Sequence, residues 1–147
     1  MVKAKNNSLT DIQKEINKLH GENSLVCLSD MDYDIDRIPT GIIGLDHILR
    51  GGLPKGKIAL SWGVEGGGKS AIGIQFAAQA QKYGRVVYID WENALDPAKA
   101  ENSGVNMDEL FVSQPNSAED TLEIIEMCLG ADDVSAIIID SVAAMAT

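Results

Sequence analysis

Apolar and polar positions recur along this chain in two rhythms. Over residues 8–20, Leu9, Ile12, Ile16 and Leu19 fall at spacings of three and four, which predicts an amphipathic helix with one narrow apolar stripe. Ser8 can cap it, Asp11 can answer from the first turn, and Gly21 ends it. Residues 25–28 are a short apolar run and predict a strand, and the aspartate-rich residues 29–37 predict an exposed loop. Residues 42–50 predict a short helix with Ile42, Leu45, Ile48 and Leu49 turned inward, followed by a turn at 51–54. The runs 57–62, 85–90, 110–113 and 136–140 are apolar and bounded by turn residues, so each predicts a buried strand. Between them lie three predicted helices. The first, 71–83, stops at Gly84; the second opens on the cap Asp96 and Pro97 and runs to about Ser103; the third opens on Ser117, turns Leu122, Ile125 and Leu129 inward, and stops at Gly130. Strands alternating with helices predict an α/β fold with a parallel sheet.

Composition narrows the function classes. The chain has 147 residues, 45% of them apolar, enough for a core. Its formal net charge is −10, which argues against an autonomous nucleic-acid surface, because neutralising phosphates needs clustered Lys and Arg. Cys27 and Cys128 have no metal-ligand spacing and read as reduced thiols, at least one packed inside. His20 and His47 have no ligand set around them and read as structural or solvated. No apolar run approaches a bilayer span, and the basic residues 1–7 have no apolar segment behind them. The expectation is a cytoplasmic protein without a membrane partner.

The chemistry concentrates at Gly63-Val-Glu-Gly-Gly-Gly-Lys-Ser70, which reads G-x-x-x-x-G-K-[ST], the phosphate-binding P-loop. A predicted strand precedes it and a predicted helix follows, as the motif requires. Glycines let successive N–H groups turn inward, and the helix aims its positive N-terminus at the same point. Gly63, Glu65, Gly66, Gly67, Gly68, Lys69, Ser70 and Ala71 are therefore the candidate contacts to the phosphates of a nucleoside triphosphate. Lys69 would reach the β- and γ-phosphates, and Ser70 would take a place on Mg²⁺. Asp140 ends an aliphatic strand downstream, the Walker B arrangement, and is the second candidate for Mg²⁺; the plainer reading is a cap at the strand–turn junction. Glu92 follows the end of another strand. Parallel strands end at one edge, so Glu92 could orient an attacking water there, or it could be a solvated loop residue.

Several further stretches make the chain resemble the RecA recombinases over nearly its whole length. They are Ile38-Pro-Thr-Gly-Ile-Ile-Gly-Leu-Asp46, Gly51-Gly-Leu-Pro-Lys-Gly56, Tyr88-Ile-Asp-Trp-Glu-Asn-Ala-Leu-Asp-Pro97, Val112-Ser-Gln-Pro115 and Ile139-Asp-Ser-Val-Ala-Ala144. RadA- and KaiC-like proteins share the first two, but not the run through Pro97 followed by Ser113-Gln-Pro115. The resemblance implies a RecA-like P-loop NTPase core over 35–147, preceded by a helix–strand oligomerisation arm over 1–34 that packs on a neighbouring protomer. It implies Glu92 as the glutamate that activates water, with Lys69 as its catalytic partner, and Asp96 as an acid beside the adenine ring. It implies filament assembly on single-stranded DNA, strand exchange and repair. Two departures stand out. Lys99 occupies the place of a tyrosine that stacks on adenine, and Gly66 and Gly67 stand where serines are common.

In that family the DNA-binding loops, and a strand lying between the P-loop strand and the Walker B strand, come later than Thr147. The expectation is the N-terminal half of a RecA-like ATPase, incomplete at its C-terminus. It would bind ATP·Mg²⁺ weakly alone and hydrolyse it only with a C-terminal half and DNA. A second class is a catalytically silent interaction protein that docks its arm on an intact recombinase; a RadA- or KaiC-like ATP switch is a third.

Overall fold

The computed structural model of the chain describes residues 8–31 and 35–146. The basic residues 1–7 and the centre of the acidic loop, 32–34, lie outside the described residues. The chain divides into two compact units, 1–34 and 35–147.

The first unit is built on helix α1, Leu9–His20. Ser8 and Asp11 form a reciprocal capping box: Asp11 N–H donates to Ser8 Oγ at 3.2 Å, and Ser8 N–H donates to Asp11 Oδ2 at 3.2 Å. The apolar stripe is left largely open, with Leu9 75% and Leu19 70% exposed. The strand expected at 25–28 is absent. Asn17 Oδ1 accepts from Leu25 N–H at 2.8 Å, while Gln13 and Asn17 amides both donate to Leu25 C=O at 3.0 Å. Side chains of α1 thus occupy the backbone groups a strand would need, and Leu28–Asp30 turns into a 3-10 helix instead. Cys27 is exposed and Cys128 half-buried, so neither thiol is enclosed, contrary to expectation.

The second unit holds a two-stranded antiparallel ribbon, β1 Arg37–Ile38 with β2 Leu53–Pro54, with the short helix α2, Ile43–Ile48, between them in the chain. Ile48 faces outward, contrary to expectation, while Ile42, Leu45 and Leu49 are half-buried. Asp46 is the knot of this segment. It accepts from Thr40 N–H at 2.6 Å, Thr40 Oγ1 at 2.7 Å and Gly41 N–H at 3.1 Å. Burial pushes its carboxyl up, but these hydrogen bonds outweigh burial and hold it below the ordinary 3.8.

The main sheet is parallel, with strand order β4-β3-β5: Leu110–Ser113, Arg85–Asp90 and Val134–Asp140. Helix α3, Lys69–Ala80, packs one face through Ile74, Ala77, Ala78 and Ala80 against Val86, Tyr88, Ala136 and Ile138. It starts two residues before the expected helix, and it ends at Gln81 rather than running on to Gly84. Helix α4, Pro97–Asn102, starts on its cap Asp96 as expected. Helix α5, Ala118–Leu129, starts on Ser117 as expected, but its inward face differs. Leu122 and Leu129 are 63% and 73% exposed, and the enclosed residue is Thr121. Thr121 Oγ1 donates to Ser117 C=O at 3.0 Å and accepts from Trp91 Nε1 at 3.0 Å, which fixes the rotation of α5.

The run 57–62, expected as a strand, is irregular and exposed throughout, Ile58, Leu60 and Trp62 included. β5 pairs with β3 along one edge, and among the described residues no strand pairs with its other edge or with 57–62. An apolar run becomes a strand only where a neighbour takes its N–H and C=O groups, and here none does. The same one-sided pairing leaves β5 half-buried along its whole length, where full cover on both faces was expected.

Asp46→Asn should cost the unit about 1–3 kcal/mol, since it replaces one acceptor oxygen with a donor amide and removes the charge that strengthens the remaining bonds. Because the folded carboxyl is held low, its contribution is present above 3.8 and is lost as pH falls through the folded value. Urea unfolding should therefore show a gap between wild type and variant at pH 7 that narrows on acidification; a gap that widens would refute the account.

Candidate functional site

Strand register assembles the candidate site. In the β3–β5 ladder Asp90 stands opposite Asp140, and Trp91 N–H donates to Asp140 C=O at 2.8 Å. In the β3–β4 ladder Ile89 stands opposite Ser113. The three strands are parallel, so their C-terminal ends form one edge carrying both aspartates, with Glu92, Gln114 and Ser141 just beyond.

The two aspartates are held differently. Asp90 is buried, 2% exposed, and accepts from Ala94 N–H at 3.1 Å, Leu95 N–H at 3.1 Å and Gln114 Nε2 at 3.4 Å. Those bonds shape the loop that carries Glu92 and Asp96. Asn93 in that loop takes a left-handed φ of 50°, a conformation asparagine tolerates better than most residues. Asp140 is half-buried, and among the described residues its carboxylate accepts one hydrogen bond, from Tyr88 Oη to Oδ2 at 2.8 Å. Burial, and then the Asp140 carboxylate, push the Tyr88 hydroxyl far above its ordinary range, so it remains a proton donor at any physiological pH. Glu92 is exposed, and its Oε1 accepts from Ser141 Oγ at 2.7 Å.

The glycine loop lies at the start of α3. Gly66 and Gly68 have φ of 71° and 85°, which side chains resist, and a Cβ at Gly67 would lie 2.9 Å from Val64 C=O. Lys69 Nζ folds back over the loop and donates to Gly63 C=O at 3.1 Å and Val64 C=O at 3.0 Å. An anion entering the loop would compete with those carbonyls for the ammonium. Ser70 and Ala71 line a cleft of about 400 Å³ together with Ile74, Ala94, Asp96 and Lys99. Asp96 Oδ1 caps α4 through Ala98 and Lys99 N–H, while Oδ2 lies 3.7 Å from Lys99 Nζ. The structure thus brings Ser70, Ala71 and Asp96 around one cleft, and Glu92 and Asp140 to one sheet edge. Gly63 and Glu65 lie exposed on the loop.

Among the described residues no group of three or more His, Cys, Asp or Glu is arranged to hold a metal. Ser70 at the start of α3 and Asp140 at the end of β5, the strand on which α3 packs, are the two oxygen donors that would be offered to a magnesium ion. That set suits Mg²⁺, which takes few protein ligands and keeps waters and phosphate oxygens. It would not suit an ion needing a full protein cage.

Tyr88, Asp90 and Ser141 escaped the sequence reading. Asp90 had a local signal, an acid closing an apolar strand just as Asp140 does. Tyr88 and Ser141 had none, because their partners lie 52 and 49 residues away in the chain.

A parallel α/β unit with a glycine loop, a helix behind it and acids on the strand ends matches known proteins closely in sequence. The family model of the RecA N-terminal domain matches residues 7–147. Protein RecA of Thermus aquaticus is 42% identical over 148 residues, covering 99% of this chain and 44% of its own length. Protein RecA of Nautilia profundicola is 46% identical over 144 residues, covering 96% of this chain and 41% of its own. The mitochondrial DNA repair protein recA homolog of Dictyostelium discoideum is 42% identical over 141 residues, covering 93% and 31%. The chain belongs to the RecA family. It spans less than half the length of these relatives.

Thr121→Val should destabilise the unit by about 1–3 kcal/mol, because it strands the half-buried Trp91 N–H while keeping side-chain volume. Thermal unfolding measures this, and a cost below about 0.5 kcal/mol would show that the Trp91–Thr121 bond does not set α5.

Proposed function

We propose that the chain is the ATP·Mg²⁺-binding part of a DNA-dependent ATPase of homologous recombination and repair, built on a RecA-like P-loop core and working in the cytoplasm. The observation that carries this reading is the common edge of β3 and β5, with the glycine loop at the start of a helix packed on the same strands. The loop N–H groups and the N-terminus of α3 would receive the phosphates. Lys69 would leave the loop carbonyls for the β- and γ-phosphate oxygens. Ser70 and Asp140 would hold Mg²⁺, which when bound neutralises charge on the phosphates. Asp96 would lie beside the base in the cleft it shares with Ser70 and Ala71, with Lys99 as a second polar contact. Glu92, held by the Ser141 hydroxyl, would orient a water and accept its proton.

Hydrolysis and filament growth on single-stranded DNA belong, in this reading, to an assembly completed by a C-terminal half. The net charge of −10 supports that division, since this chain offers little to phosphates outside its loop. Lys69→Ala should abolish calorimetric ATP binding, a loss of at least about tenfold, without changing thermal stability in the absence of nucleotide. Unchanged ATP binding would overturn the nucleotide reading.

The open stripe of α1 favours a second activity: residues 1–34 as an arm that docks on another RecA-type protomer, either another copy of this chain or an intact recombinase. Ile12→Asp with Ile16→Asp should abolish capture of an intact recombinase in a pull-down. Capture at the wild-type level by that double variant would end the docking idea.

A further inference from the structure

Tyr88 has no part in the reading above, yet it joins two of its elements. Its ring is 1% exposed on the face of β3 that α3 covers. Gly73 of α3 stands over it: a Cβ there would lie 3.8 Å from Tyr88 Oη and 3.5 Å from Ile138 Cγ2. Phenylalanine would fill the same space, so packing does not call for the hydroxyl. A buried hydroxyl is costly unless it is hydrogen-bonded, and the bond it makes is to Asp140 Oδ2 at 2.8 Å. Among the described residues, the other oxygen of Asp140 takes no hydrogen bond.

We propose that Tyr88 is the positioning residue of the magnesium site: its hydroxyl pins Oδ2 of Asp140, so that Oδ1 meets the water shell of Mg²⁺ in one orientation. The packing of Tyr88 with Ile74 and Ala77 sets that orientation beside the helix that bears Lys69 and Ser70. This rests on the reading of Asp140 as a magnesium-side carboxylate. A carboxylate free to rotate would meet the same water shell in many orientations, and only some would serve. Partners that hold a metal's ligands typically matter by about 10- to 100-fold in metal affinity, and one hydrogen bond to a carboxylate belongs at the lower end.

The test titrates Mg²⁺ into the full chain at fixed ATP, and separately measures ATP binding in EDTA, for wild type, Tyr88→Phe, Asp140→Asn and the double variant. Tyr88→Phe should leave metal-free ATP binding unchanged within about twofold and raise the Mg²⁺ half-saturation about tenfold. In the Asp140→Asn background it should change nothing further, since the two residues act through one contact. If Tyr88→Phe keeps the wild-type Mg²⁺ dependence, weakens both states equally, or adds its own loss to Asp140→Asn, the proposal is wrong and Tyr88 only packs. If Asp140→Asn itself leaves the Mg²⁺ curve unchanged, the magnesium reading falls and takes this inference with it. Should Tyr88→Phe fail to fold, wild-type chain labelled with 3-fluorotyrosine replaces it. The Tyr88 fluorine resonance should move when Mg²⁺ joins ATP, and should stay in place in Asp140→Asn; a resonance that ignores Mg²⁺ in wild type overturns the proposal.

Discussion

The parallel ladder between β3 and β5 is the constraint on which everything else in the second unit rests. Its register sets Asp90 against Asp140 and Tyr88 against Ile138. A slip of one residue would send each of these side chains to the opposite face. The ladder also extends past its end through Trp91 N–H and Asp140 C=O, which carries the order of the strands into the loop with Glu92. One set of backbone hydrogen bonds therefore aligns acids that lie some 50 residues apart.

Within that frame, the number of donors separates the jobs of two similar carboxylates. Asp90 receives two backbone N–H groups and an amide, so its charge is committed to shaping a loop. Among the described residues the Asp140 carboxylate receives one phenol, on Oδ2, and its other oxygen takes no hydrogen bond. Lys69 rests in the opposite condition, with a strong cation on two neutral carbonyls that an anion can displace. The lysine thus braces its own glycine loop.

What could be read from the chain without coordinates follows the distance between partners. Ser8, Asp96 and Ser117 were legible as caps because each bonds a backbone group within three residues. Strands 85–90 and 110–113 were legible because apolar runs of that length, bounded by turns, find a neighbour in this fold. Residues 57–62 carry the same signal and form no strand, since pairing is a property of two segments and only one was visible. The inward face of α5 was misjudged by one position for a related reason. Aliphatic spacing pointed to Leu122, whereas a hydroxyl and an indole N–H distant in sequence chose Thr121.

The amino-acid sequence alone determined the capped helix starts at Ser8, Asp96 and Ser117, the glycine loop, the acids at the strand ends and the kinship with RecA proteins, because each of these is written in contiguous residues. Only the tertiary structure decided which strand lies beside which, that Asp90 turns inward to its own loop, that Ser141 holds Glu92, and that Tyr88 holds Asp140. Those are encounters between segments far apart in the chain. Local hydrogen-bonding preferences cannot specify them, because backbone pairing and side-chain burial are satisfied jointly by the whole fold.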